Sequence, residues 1–261
     1  MISPRKIWTV AERDIRMFLR YKFLLIMRGI WFVSQIALFG LIVNRMFTSS
    51  VQSAVGGNYF NYYAAGIIIT MLYSTAVFIG YDIYEEADHG VIEYLLSVPV
   101  SRKELVLGRS IGGGLRSFLY VGPMMLFILY LIGISNILQL FVALLSLFLF
   151  TFGVAGFSIT LAVSIKSSDR FDILMGVTDA LIVRLSTTLY PVAFMPQYYV
   201  GLASINPLTF AADLFRWGAG MESTVLTSPL LAAFGIVAFF SIFTFLSIFL
   251  HERKLEGGGW Q

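Results

Sequence analysis

The sequence predicts an all-α membrane protein of six transmembrane helices, with an amphipathic helix at its N-terminus. Three observations lead there: an apolar composition, apolar runs of bilayer length, and basic residues gathered on alternate connections. Of the 261 residues, 58% are hydrophobic and 13% charged, against about 45–50% and about 25% in ordinary soluble domains. Mean hydropathy is +0.82. The apolar residues come in blocks such as 138–165 and 230–250, and about 20 of them in a row match the roughly 30 Å hydrocarbon core of a bilayer.

Runs of spanning length place the six helices at 23–47, 60–81, 111–133, 137–165, 171–190 and 229–250. The first run is longer than the hydrophobic region of a signal peptide and carries Arg28 and Gln35, so it reads as a retained span. Tyr59, Phe60, Tyr62 and Tyr63 open the second run, and Tyr190, Tyr198 and Tyr199 follow the fifth. Aromatic rings of this kind favour the headgroup level, which marks these ends as an interface.

Charge sets the orientation. Arg5, Lys6, Arg13, Arg16, Arg20, Lys22 and Arg28 precede or open span one; Arg102, Lys103, Arg109 and Arg116 lie between or at the edges of spans two and three. Lys166 and Arg170 separate spans four and five, and Arg253 and Lys254 follow span six, so fifteen of the 18 Lys and Arg residues share one side. Only Arg45 and Arg216 fall opposite, with Arg184 inside span five. The positive-inside rule then puts both termini and the 82–110 loop in the cytoplasm of a cell (plasma or inner) membrane. Short stretches near 48–58 and 133–136 and a longer one at 191–228 face outward, none large enough for a separate domain.

Projected at 100° per residue, positions 5–20 place Trp8, Leu19, Ile15, Ala11, Phe18 and Ile7 on one arc and Arg5, Lys6, Thr9, Arg13, Arg16 and Arg20 on the other. This is a helix lying in the headgroup plane among membrane lipids. The chain thus divides into an interfacial helix at 1–22 and a single six-span domain at 23–261. The helix is either a topology anchor or also part of a docking site for a cytoplasmic partner.

Several chemistries are disfavoured. There is no cysteine, and the two histidines, His89 and His251, are far apart, so no thiolate chemistry and no His-based metal site is expected. The net charge of +3 follows topology rather than a nucleic-acid patch. No Gly-x-x-x-x-Gly-Lys-Ser/Thr loop is present to cradle a nucleotide phosphate.

The loop after span two carries the most specific pattern. It runs through Glu85-Glu86, Gly90, Glu93, Leu95-Leu96, Pro99-Val100-Ser101-Arg102 and Gly108-Arg109. Pro99 separates two helical pieces, and Ser101 with Glu104 forms a capping-box signature that starts the second. In that order these residues resemble the corresponding loop of the ABC-2 permease family. A second patch agrees, Phe194-Met195-Pro196 followed by Ile205-Asn206-Pro207-Leu208-Thr209-Phe210-Ala211-Ala212-Asp213-Leu214-Phe215-Arg216.

The resemblance implies a homodimeric or heterodimeric exporter permease that works with two separate ABC ATPase subunits, which would hold the ATP and Mg. This chain itself would bind no cofactor and would not be an enzyme. The resemblance also implies a cytoplasmic coupling helix between spans two and three, seated on the ATPase through Glu85, Glu86, Gly90, Glu93, Leu95 and Leu96; otherwise the segment only caps the bundle. Short re-entrant helices between spans five and six would close the pathway, around Pro196, Asn206, Pro207, Asp213 and Arg216.

Within the spans, Asp172, Gly176, Ala180, Arg184 and Thr188 recur every four residues. Small and polar residues of this kind face another helix, the second protomer or the translocation pathway rather than lipid. Arg184 would cost about 2.5–3.5 kcal/mol if simply inserted, so it either meets an acidic substrate group, snorkels, or joins a structural pair. Asp179, about 140° around the helix, is poorly placed for that pair. Gly156, Thr160 and Ser164 in span four read as helix packing, and Gly112-Gly113-Gly114 as a hinge or close packing.

The reading is an ATP-driven exporter of amphiphilic or hydrophobic molecules, drug or lipid, with lipid-linked polysaccharide as the alternative cargo. A membrane-bound enzyme acting on lipids would need a catalytic cluster, for which only the acidic residues at 82–93 are available. A scaffold would bind partners without moving anything.

Overall fold

The computed structural model describes residues 3–40, 42, 58–133, 136–165 and 167–255. Expectations for the end of span one, for Arg45 and the 48–57 loop, for 134–135 and for Lys166 lie outside the described residues. So do those for the side chains of Arg28, Glu93, Leu96, His251, Arg253 and Lys254.

The described residues form ten α-helices and no strand. They are α1 (Pro4–Arg20), α2 (Lys22–Val33), α3 (Tyr59–Asp88), α4 (Val91–Ser97), α5 (Arg102–Ile132), α6 (Ile137–Ile165), α7 (Ser168–Arg184), α8 (Gln197–Ala203), α9 (Pro207–Gly218) and α10 (Pro229–Leu255). A π-helical stretch, Ser34–Gly40, continues α2. Asparagines open three of the helices: Asn58, Asn136 and Asn206 accept the amides of Phe60, Leu138 and Leu208, each at 2.9 Å. Ser101 and Glu104 form the expected reciprocal capping box at the start of α5.

Four helices are long and apolar enough to cross a membrane: α3, α5, α6 and the 229–250 part of α10. The other two expected spans are not among these four, and the end of span one lies outside the described residues. In span one the apolar helical run covers Leu25–Ala37. Expected span five, 171–190, is helical only to Arg184. Beyond it the Ser186 hydroxyl donates to the Val183 carbonyl at 2.7 Å and lies 2.6 Å from the Thr188 hydroxyl. Side-chain oxygens that bind the local backbone in this way compete with the helical ladder.

α3 is the axis of the bundle. Its apolar window is 83% buried, against 11% for α10, so α3 is enclosed by protein while α10 presents most of its surface outward. α5 and α6 pack on α3, α10 packs along α6, and α1 lies along α5. The three consecutive glycines of α5 serve close packing within an unbroken helix: a Cβ on Gly112 would lie 3.1 Å from Ala11 O, one on Gly113 2.9 Å from Ala155 Cβ, and one on Gly114 3.3 Å from Phe152 N. Gly156 likewise faces α10, with Phe243 3.3 Å from its would-be Cβ, and Thr160 and Ser164 bond carbonyls of their own helix.

Candidate functional site

The charged end of the bundle gathers α1, the end of α3, α4 and the start of α5. Glu86 is 5% exposed and pairs with both Arg109 of α5 and Arg13 of α1. Asp82 pairs with Arg116, whose guanidinium also lies 5.0 Å from the Phe18 ring of α1. Asp14 is buried beside them, its Oδ1 3.3 Å from Arg13. Burial pushes its carboxyl up to about 6 against the opposing pull of Arg109 and Arg13. Charges out of water need partners of opposite sign, and here one carboxylate joins three helices.

α1 is also tied to the connection before α5. Its first turn reaches over through the Ser3 amide, 2.6 Å from Glu104 Oε1, and the Lys6 ammonium on Pro99 O. Its buried face is Val10, Ala11, Asp14 and Phe18, whereas Trp8 and Leu19 stay exposed. The sequence projection thus placed Ala11 and Phe18 of the packed face on its apolar arc, beside the exposed Trp8 and Leu19, but left out Val10 and Asp14. A Cβ on Gly108 of α5 would meet Val10 Cβ at 2.6 Å, which is why the two helices can lie so close.

The residues expected to meet an ATPase separate here. Glu85 is exposed and accepts from Tyr21 Oη at 3.0 Å. Gly90 adopts φ 67 as it starts α4, a left-handed conformation that glycine takes without strain. Leu95 is half-buried. Glu86 instead points into the protein, where it pairs with Arg109 and Arg13. Tyr94, not singled out from the sequence, is 67% exposed on α4.

The opposite end is built from the start of α3, from α9 and from the chain following α7. Once α7 ends, the carbonyls of residues 187–190 have no helical partners, and unsatisfied carbonyls are costly at membrane depth. Arg216 Nη2 donates to Thr188 O at 3.1 Å, and Tyr59 Oη to Leu189 O at 2.8 Å. Tyr62 Oη lies 2.6 Å from Thr187 O and 3.0 Å from Tyr190 O, its one proton shared between them. The Arg216 guanidinium stacks 3.6 Å from the Tyr62 ring centre. Tyr59, Tyr62 and Tyr63 are thus buried against protein, with their hydroxyls bonded inside; Tyr190, Tyr198 and Tyr199 are exposed.

The predicted residues of the 191–228 segment hold it in place. Asn206 caps α9 and donates to Ile182 O at 2.8 Å, with Pro207 as the first helical residue. Asp213 gathers Leu226 N, Thr227 N and Thr227 Oγ1 at 2.8–3.0 Å, which fixes the turn leading to α10. Arg216 is fully buried, not an outward-facing cation.

Between α2, α3, the end of α7 and residues 189–199 lies a cavity of about 970 Å³. Its walls include Tyr59, Tyr63, Leu181, Phe194, Pro196 and Tyr199, with Gln35, Ala180 and Arg184 among them. The four-residue stripe of α7 thus divides. Asp172, Gly176, Ala180 and Arg184 are exposed on this protomer, with Tyr81 Oη donating to Asp172 at 3.0 Å. Thr188 is the exception, buried past the helix end against α3.

Apolar helices of spanning length, one of which (α3) lines a half-open cavity of ligand size, define a membrane-embedded helical protein. The chain belongs to the ABC-2 type transporter family, which it matches over residues 5–220. It is also 26% identical over 192 residues to a protein named a transport permease, ycf38, from Cyanophora paradoxa. That alignment covers 73% of this chain and 65% of the relative, so less than two thirds of the relative's length is spanned.

Proposed function

We propose that this chain is the permease subunit of an ATP-driven exporter and moves an amphiphilic or hydrophobic substrate, a drug or lipid, out of the cytoplasm or inner leaflet. The observation that carries this reading is the cavity of about 970 Å³ with its mostly apolar and aromatic wall, a volume suited to a drug-sized ligand. Family membership supplies the rest of the reading. Two permease copies, or this chain and a homologous permease, pair with two ABC ATPase subunits that carry the ATP and Mg. α2 and α7 complete a six-span layout in the cell membrane, with both termini cytoplasmic, and α1 lies at the lipid surface.

In this arrangement α4 is the coupling helix. Tyr94 on α4 and Glu85 at the end of α3 are the accessible contacts, and Glu86 acts from inside by joining the end of α3 to α1 and α5. The exposed face of α7, Asp172, Gly176, Ala180 and Arg184, lies toward the second permease or the pathway. The test is co-purification with a tagged ABC ATPase, followed by ATP hydrolysis in proteoliposomes with and without added amphiphile. Stimulation that collapses in Tyr94→Ala while the complex stays assembled supports the reading. A chain that binds no ATPase and moves no amphiphile would sink it.

A further inference from the structure

We propose that the cavity beside α7 binds an anionic amphiphile, its acid group on Arg184 and its apolar part along the tyrosine and leucine wall. The inference deepens the exporter reading by naming the charge of the ligand. Among the described residues Arg184 is the only charged one lining the cavity, and it has no ion-pair partner there. It occupies the last turn of α7, where the helix C-terminus favours a cation and partly offsets the missing counter-ion.

Two of the polar groups of the wall are already engaged. Tyr59 Oη donates to Leu189 O and Tyr63 Oη to Gln35 Oε1 at 3.1 Å, so these residues offer ring surface to a ligand. What is left is one guanidinium in a mostly apolar and aromatic wall, with the Gln35 amide and the hydroxyls of Tyr190 and Tyr199 as its neutral polar groups. A guanidinium binds carboxylate or phosphate through paired N–H donors and cannot be deprotonated in a protein. A chamber of about 970 Å³ also far exceeds what a bare inorganic anion fills. Gln35 lies in the π-helical stretch after α2, a geometry that recurs at binding sites, and its side-chain amide is available to a second oxygen of the same acid group.

The test uses the full chain in neutral phosphatidylcholine nanodiscs, without ATPase or ATP, so that binding is read separately from export. Equilibrium dialysis of decyl phosphate, decanol and inorganic phosphate, corrected with empty discs, gives three affinities. Saturable binding of decyl phosphate is expected, with a loss of about tenfold in Arg184→Ala, the order expected of one charge-assisted interaction. Decanol binding should not change, and Arg184→Lys should recover most of the loss. Phe194→Ala, which removes wall surface and leaves the cation, should weaken decyl phosphate and decanol alike.

Equal binding of decyl phosphate and decanol, or affinities unmoved by Arg184→Ala, would overturn the proposal; so would inorganic phosphate binding as tightly as decyl phosphate. Native mass spectrometry of protein taken from its own membrane identifies the source of the acid group. An anionic phospholipid retained by wild type and lost in Arg184→Ala supports the proposal with a bilayer lipid as occupant. Decyl phosphate binding without retained lipid supports it with a free amphiphile. Absent export with intact binding would count against the exporter reading alone.

Discussion

A Cβ placed on Gly66 of α3 would lie 1.7 Å from the carbonyl oxygen of Thr188, so α3 and the chain beyond α7 meet backbone to backbone. No rotamer can relieve such a contact. Gly66→Ala is expected to cost about 3 kcal/mol or more, through forced backbone movement, read as a lower thermal midpoint in detergent. Gly176→Ala is the matched control: its added Cβ meets nothing within 4 Å, and helix propensity should raise stability by about 0.8–1 kcal/mol. A Gly176→Ala protein that is thermally sound yet impaired in export would indicate that this face meets something beyond its own protomer.

The network around Glu86 makes a contrasting prediction for adjacent acids. Glu86→Gln leaves Arg109, at 3% side-chain exposure, without its closest counter-charge, and breaking a buried pair costs about 3–5 kcal/mol. Glu85→Gln, at an exposed position, should cost less than about 1 kcal/mol. Pairing Glu86→Leu with Arg109→Met should recover part of the loss. Equal melting temperatures for the two single variants would refute the buried assignment.

Asp14 predicts a pH dependence with a definite sign. Its folded-state carboxyl titrates near 6, raised from 3.8 by burial. Between those values the unfolded chain has released its proton while the folded chain still holds it, so stability falls as pH rises and then levels off. Asp14→Asn removes that loss and should stabilise the protein at pH 7 by about 1–3 kcal/mol, with the advantage vanishing below about pH 4. Melting profiles of the two proteins that run parallel from pH 4 to 8 would count against it.

Arg216 and Tyr62 should act as one unit. Arg216→Lys keeps the charge but loses the planar donors that reach Thr188 O at 3.1 Å and Tyr62 O at 3.3 Å, at a cost of about 1–3 kcal/mol. Tyr62→Phe frees the carbonyls of Thr187 and Tyr190 and should cost a similar amount. In the double variant the losses should fall short of their sum; strict additivity would show that the two do not cooperate.

Local features of the fold were readable from the residues alone because they are written within a few positions of one another. The Ser101–Glu104 cap, the break at Pro99 and the packing stripe Gly156, Thr160 and Ser164 are of this kind. Partnerships between distant helices left no such mark. Glu86 and Arg109 are 23 residues apart, and a carboxylate in a charged loop has the same sequence signature whether it faces water or a buried arginine. Arg109 and Arg116 were counted as topological charges for that reason, and the structure buries both.

Helical projection had a similar limit. It sorted α1 into an apolar and a polar arc but could not show that α1 would turn Asp14 toward α5. The burial of the α3 tyrosines could not be read in the same way, because an aromatic at a helix end looks alike in sequence whether it faces lipid or lends its hydroxyl to an unwound neighbour. That second role arises only once residues 187–190 have left the helix.

All four carbonyls in that unwound stretch are held by donors, and two of the three donor residues, Tyr62 and Arg216, do not line the cavity. The frame behind the chamber is therefore fixed largely from the rear. Side chains at Leu181, Phe194 or Tyr199 can be exchanged without loosening it, so in the proposed exporter the wall is free to change while the frame behind it stays the same.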